Sequence, residues 1–259
     1  MSSVLVARST GVVTVTIDRP SRRNAITGPV VEELLGVFEE IARTPADRAV
    51  ILTGAGGSFC SGMDLSEPVS PDPLTFMTRV GQLCTIIHDL PRPVIAKVDG
   101  PAMGFGCNLA LCCDLVVASY NATFGEIFAD RGIALDGGAS WSLPRLVGIA
   151  KAKELVFFGR RVSADEAERI GLINRVVGES EIDDAVRTWA QDLADGPTLA
   201  LSMMKSALNN SFESSFKRAI DSESLNQAVA FGTTEAKEAG RAFAQKRSPR
   251  FRAVEDDLS

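Results

Sequence analysis

Histidine is almost absent from this chain of 259 residues, which carries only His88. Zinc sites built on several imidazoles, and the H-E-x-x-H pattern of metalloproteases, need at least two, so both classes are excluded. Cysteine is scarce, and the five present (Cys60, Cys84, Cys107, Cys112 and Cys113) include no C-x-x-C pair. An odd set without that spacing, behind a stretch 1–10 with neither the charged nor the apolar part of a secretory signal, points to a reducing intracellular compartment, expected to be the cytoplasm. No Gly-Lys pair is available for a Walker loop, and no apolar run approaches the roughly 20 residues of a membrane crossing. Positive charge is in deficit, 27 Lys and Arg against 33 Asp and Glu for a net charge of −6, so no global basic field would draw a nucleic-acid backbone. Neither nucleic acid nor membrane is an expected partner.

What remains is an ordinary globular composition, 45% hydrophobic and 23% charged, with enough apolar material for one sizeable core. Strand-like segments at 4–7 and 12–17, split by Gly11, give a hairpin signal. Val30, Val31, Leu34, Leu35, Phe38 and Ile41 follow at helical spacing, with Thr27 and Pro29 as opening residues and Pro45 just past the end. The order recurs: a buried strand at 49–53, a Pro-containing loop at 67–73, a helix at 74–90 and a strand at 94–98. A helix at 104–113 and a strand at 115–118 come next. Such alternation reads as an α/β domain whose strands pair through helical crossovers. From Leu143 onward the pattern is almost wholly helical, with segments at 151–158, 164–170, 182–193, 197–209, 212–229 and 235–245. No low-complexity linker interrupts the chain, so residues 1–195 and a helical part at 196–259 are taken as one continuous unit.

Two glycine-rich loops each stand between a strand and a helix, Thr53-Gly-Ala-Gly-Gly-Ser-Phe-Cys-Ser-Gly-Met-Asp-Leu65 and Val98-Asp-Gly-Pro-Ala-Met-Gly-Phe-Gly-Cys-Asn108. Both could bring bare backbone amides to a ligand. Neither fits G-x-G-x-x-G, since the third glycine position is Phe59 in one and Leu109 in the other, so a nucleotide cradle is poorly supported. The competing reading is that these glycines only make tight strand-to-helix turns.

Linked motifs then carry a resemblance. Arg19-Pro20 with Arg23-Asn24-Ala25, Phe59-Cys60-Ser61-Gly62-Met63-Asp64-Leu65, and Pro93-Val94-Ile95-Ala96 running through Asp99-Gly100 to Gly104-Phe105-Gly106 occur in order. Asp114, Phe124-Gly125, Arg145-Leu146-Val147-Gly148, the stretch 164–177 and Lys246-Arg247-Ser248-Pro249-Arg250-Phe251 continue them. Together they resemble the crotonase (enoyl-CoA hydratase/isomerase) superfamily over nearly the whole length. The resemblance implies an α/β fold, a spiral of repeated β-β-α units with a helical C-terminal part used for trimerisation, as a homotrimer or homohexamer. It also implies an acyl-CoA thioester as substrate, coenzyme A arriving as part of that substrate with no separate cofactor and no metal. Matched residue by residue, the backbone amides of Met63 and Phe105 would bind the thioester oxygen, preorganised donors for the negative charge that develops there. Arg22, Arg23, Ala25, Ser61, Asp64 and Leu65 would contact the coenzyme A part, the two arginines suiting phosphate. A solvated loop pair is the alternative for Arg22 and Arg23.

The resemblance also shows a departure. Hydratases of this family use two glutamates, and the matching positions here are Asn108 and Phe128. An amide can orient water but cannot carry a proton near neutral pH, and a phenyl ring does neither, so two-glutamate hydration is disfavoured and Phe128 is left as a substrate-binding residue. A carboxylate stands nearby at Asp136, where some isomerases and dehalogenases of the family carry an acid, base or nucleophile. Its apolar surroundings suit a raised pKa. The competing role is a turn aspartate before Gly137-Gly138. Glu126 is the reserve for a second acid or base. Asp130-Arg131 reads as a surface ion pair or a solvated corner, Asp114 and His88 as structural, and Cys107, Cys112 and Cys113 as small buried hydrophobes. Cys60 has no partner base in sequence.

Three readings follow. The first is an enoyl-CoA hydratase/isomerase-type enzyme of acyl-CoA metabolism with Asp136 as acid/base, favouring double-bond isomerisation or an atypical hydration over the two-glutamate reaction. The second is a dehalogenase-like or hydrolase-like member with Asp136 as nucleophile. The third is a non-catalytic acyl-CoA-binding protein, for which the missing glutamates speak.

Overall fold

The structure is a computed structural model and describes residues 2–67 and 70–252. Residues 68 and 69 of the Pro-containing loop, and the end of the C-terminal part beyond 252, lie outside it. The chain opens on strands β1 (Val4–Ser9) and β2 (Val12–Ile17), joined by Thr10 and Gly11 at φ 48° and 81°. Two consecutive left-handed residues match the twist of an antiparallel hairpin, which is what forms here. Helix α1 (Gly28–Arg43) then buries all six of its periodic apolar residues.

β3 (Ala49–Gly54), β4 (Val94–Val98), β6 (Leu115–Ser119) and β9 (Arg175–Val177) extend the sheet in the order β1-β2-β3-β4-β6-β9, every pairing after the hairpin being parallel. Side chains alternate between two apolar clusters. Val13, Val15, Val50, Leu52, Val94 and Ala96 face α1 and α2 (Pro73–His88), whereas Val12, Ile51, Ile95 and Val117 meet α7 (Ile182–Ala194) on the other side. With both faces covered, the central strands read as unbroken apolar runs.

A second sheet was not legible in the sequence. β5 (Pro101–Met103), β7 (Thr123–Gly125) and β8 (Arg161–Ser163) pair in that order, three residues each. Segments so short cannot display a two-residue period, so the helical reading beyond Leu143 is corrected by β8 and β9. Helix boundaries move for local reasons. α3 spans Phe105–Leu111 rather than 104–113, and α2 begins at Pro73 because Asp72 caps it through the Thr75 amide at 3.0 Å. The expected helix at 212–229 is a 3-10 turn, Ser211–Glu213, followed by α9 (Phe216–Phe231), which Ser215 caps through the Arg218 amide. α4 (Ala139–Val147), α5 (Ile149–Phe157), α6 (Ala164–Arg169), α8 (Thr198–Asn209) and α10 (Thr234–Ala244) complete the chain. Asp114 ties α8 to the sheet, accepting from the Val94 amide and from Lys205 Nζ, both at 2.7 Å. Among the described residues, no helix is long and apolar enough to cross a membrane.

Candidate active site

The first glycine loop is held from both sides. Asn24, fully buried at φ 55°, donates through Nδ2 to the carbonyls of Ala55 and Ser58 at 2.8 and 2.6 Å and accepts from the Arg19 amide at 2.9 Å. Ile26 N–H bonds to Gly62 O, and Asp64 N–H returns to Ile26 O, both at 2.8 Å. Along extended backbone successive residues address opposite sides. With Gly62 and Asp64 turned toward Ile26, the Met63 N–H therefore faces away. On the other edge Cys60 pairs with Ala102: Cys60 N–H reaches Pro101 O at 3.1 Å and Met103 N–H reaches Cys60 O at 2.9 Å. This fixes the first loop to β5, which leads through Gly104 into α3.

Phe105 is the first residue of α3, where an N–H has no intrahelical acceptor. Neither the Met63 nor the Phe105 N–H donates to another atom among the described residues. The loops touch closely: a Cβ on Gly62, which sits at φ 96°, would lie 2.8 Å from Met103 O and 3.6 Å from the Phe105 nitrogen. One small cavity of about 90 Å³ is lined by both loops together with Phe128 and Asp136.

Asp136 stands just before two left-handed glycines, Gly137 and Gly138 at φ 57° and 79°, which turn the chain into α4. The turn and the cavity position thus coexist. Asn108, 1% exposed on α3, donates through Nδ2 to the Asp136 backbone carbonyl at 3.1 Å and to Oδ1 at 3.3 Å. Burial pushes the Asp136 carboxyl up to about 6, with the Asn108 amide pulling it part of the way back. Glu126 is more deeply buried, and burial pushes its carboxyl up to about 7.

Six of the residues singled out in the sequence meet in this cavity: Ser61, Met63, Leu65, Phe105, Phe128 and Asp136. Asn108 lies directly behind Asp136. Arg22, Arg23, Ala25 and Asp64 do not line it. The backbones of Arg22 and Arg23 brace the loop, Ser61 N–H donating to Arg23 O at 3.0 Å, while their side chains are exposed. Asp64 is occupied by the Ser66 hydroxyl at 2.6 Å and by Arg19 at 3.2 Å; the Ser66 hydroxyl and amide first, and Arg19 after them, hold its carboxyl below the usual carboxylate range. Ala25 is buried, its carbonyl taken by Arg19.

The cavity also takes in Ile127, Arg131 and Ile133, which sequence reasoning missed. Their signal was only proximity to Phe128. Neither Asp130 nor Arg131 forms an ion pair among the described residues; both are exposed, so of the two expectations for them the solvated corner holds and the surface pair does not. The Cys60 thiol is fully buried and pushed up to about 12, which makes it inert as a nucleophile.

The enoyl-CoA hydratase/isomerase family model matches residues 7–254 of this sequence. The chain belongs to the enoyl-CoA hydratase/isomerase family. This family member is 34% identical over 258 residues to the 1,2-epoxyphenylacetyl-CoA isomerase of Escherichia coli K12, covering 97% of this chain and 98% of that protein. It is 36% identical over 251 residues to the short-chain-enoyl-CoA hydratase of Clostridium acetobutylicum, with 95% and 96% covered. Its fold superimposes on the crystal structure of an enoyl-CoA hydratase from Mycobacterium smegmatis with a TM-score of 0.92 at 32% identity, covering 97% of this chain and all of that one. An enoyl-CoA hydratase from Bacillus anthracis matches at a TM-score of 0.92 and 30% identity, covering 96% of this chain and all of that one. The crotonase-like fold and the enzyme family expected from the motifs are therefore established for this hydratase/isomerase family member.

Proposed function

We propose that this chain is an acyl-CoA isomerase in which the Met63 and Phe105 amides hold the thioester oxygen while Asp136 moves a proton along the acyl chain. What supports the reading is the juxtaposition of two uncommitted amides and one half-buried carboxyl around a single cavity. The Asp136 carboxylate takes a proton from the carbon next to the double bond. The electron pair passes through the conjugated system onto the thioester oxygen, where the two N–H groups meet it, and Asp136 returns the proton to a different carbon. Nothing is consumed, and one titratable group suffices. Losing a single donor of this kind costs about 3 kcal/mol in well-characterised enzymes.

Two-glutamate hydration is not supported, because the positions that would need carboxylates hold Asn108 and Phe128. Coenzyme A enters as part of the substrate, and no separate cofactor is invoked. A cytoplasmic location fits the free cysteines among the described residues. The chain is proposed to assemble as a homotrimer or homohexamer, since helices α8 and α9 bury none of their residues in the single chain.

The test is Asp136→Asn assayed on a panel of enoyl-CoA thioesters. Turnover is expected to fall by about a thousandfold, with acyl-CoA binding within a few-fold of the wild type. Unchanged turnover overturns the role of Asp136. A covalent adduct on Asp136 found by mass spectrometry would mark it as a nucleophile instead, and tight binding without conversion of any thioester would mark a non-catalytic binder.

A further inference from the structure

We infer that Glu126 is a positioning residue for this reaction: buried in its neutral form, it donates its O–H to Asn108 and so keeps the Asn108 amide aimed at Asp136. The inference rests on the proposed role of Asp136 and adds to it a residue outside the cavity.

Glu126 follows β7, is 2% exposed, and neither of its carboxyl oxygens has a hydrogen-bond partner. It sits in a small internal space walled by Cys107, Leu143, Leu155 and Leu172, beside the Asn108 side chain. Arg160 also borders that space, but its guanidinium is held by Glu154 and Glu166. Aliphatic groups and the weakly donating Cys107 thiol are poor company for a carboxylate, and burial shifts the balance toward the protonated form. The proximity of Asp136 works in the same direction.

A neutral carboxyl then has an O–H of its own that needs an acceptor. Asn108 has one to offer, because its Oδ1 is buried and unpaired while its Nδ2 is engaged with Asp136. A bond from the Glu126 O–H to Asn108 Oδ1 satisfies two buried orphan groups at once. It also reinforces one of the two orientations open to a primary amide. Turned by half a revolution, Asn108 would place Oδ1 instead of Nδ2 against Asp136, repelling the anion that the reaction requires. The Asp136 backbone carbonyl, which can only accept, requires Nδ2 on that side, and a Glu126 O–H donated to Oδ1 holds the same orientation from behind. The resulting chain, Glu126 to Asn108 to Asp136, polarises along its length.

The experiment compares Glu126→Met, Glu126→Gln, Asn108→Ala and the double variant Glu126→Met with Asn108→Ala, measuring kcat and KM on an enoyl-CoA that the wild type converts. Glu126→Met is expected to lower kcat by about ten- to a hundredfold with KM within about twofold, the signature of a misplaced group at the reacting centre. Glu126→Gln, whose amide N–H can replace the O–H toward Asn108, is expected to recover most of that loss. The double variant is expected to be no slower than Asn108→Ala alone, because the two residues act through one bond. Glu126→Gln as slow as Glu126→Met overturns the inference, since Glu126 would then carry a proton itself. Wild-type kcat in Glu126→Met overturns it too. Should Glu126→Met fail to fold, infrared spectra of the wild type and of Glu126→Gln decide: the carbonyl band of a protonated carboxyl must be present in the first and missing from the second, and its absence from the wild type overturns the inference. Asp136→Asn with wild-type turnover marks failure of the parent reading instead, so the two failures are distinct.

Discussion

A group that takes a proton from carbon near neutral pH works best when its own proton affinity is close to that pH, and burial is the usual means of raising a carboxyl toward it. In the proposed role, Asp136 is raised to about 6 by desolvation, and the Asn108 amide is its side-chain hydrogen-bond donor. The base is active when ionised, so kcat/KM is expected to rise tenfold per pH unit below about 6 and to level off above it. A pH profile flat from 5 to 8 would remove Asp136 from the rate-limiting proton transfer. At this scale the sequence was informative where a residue's place follows from its position in a motif: Met63, Phe105 and Asp136 line one cavity. It was uninformative where the outcome turned on which partner a charge finds. Asp64 is taken by Arg19 and Ser66, and Arg131 stands at the cavity without the Asp130 pairing that adjacency suggested.

The elements that matter most are the two loops, and their geometry depends on a missing side chain. Gly62 lies at φ 96°, and a Cβ there would come within 2.8 Å of Met103 O, a backbone atom that cannot yield without moving β5. On the proposed role of the Met63 and Phe105 amides, Gly62→Ala is expected to lower kcat by about a hundredfold, the loss associated with one displaced oxyanion donor, while the protein still unfolds cooperatively. Full activity in a folded Gly62→Ala enzyme would mean that the approach of these loops does not govern the rate. Helix α1 was legible down to its six buried residues because an amphipathic stripe repeats along sixteen residues. The small sheet was not, since its strands each hold three residues and pair across 22 to 40 positions of sequence, leaving no local period to read.

For the whole molecule, the main sheet is covered on both faces within one chain, whereas the C-terminal helices are not. Leu208, Phe216, Leu225 and Phe231 are each at least 70% exposed in the single chain, more apolar surface than isolated residues on a monomer account for. The protein is expected to sediment as a homotrimer or homohexamer. Leu208→Glu combined with Leu225→Glu is expected to shift it toward monomer, and a wild type that sediments as a monomer at micromolar concentration overturns the assembly.

By itself the sequence determined the class of the fold, the central parallel strands and the family, because each is written in repeats and motifs that survive in one dimension. Only the tertiary structure decided that the Met63 and Phe105 amides stay uncommitted, that Asp136 stands against Asn108, and that Glu126 is buried beside Cys107 and Asn108. Those facts belong to groups brought together from distant positions, and the burial that shifts a carboxyl's proton affinity exists only once the chain has closed around it.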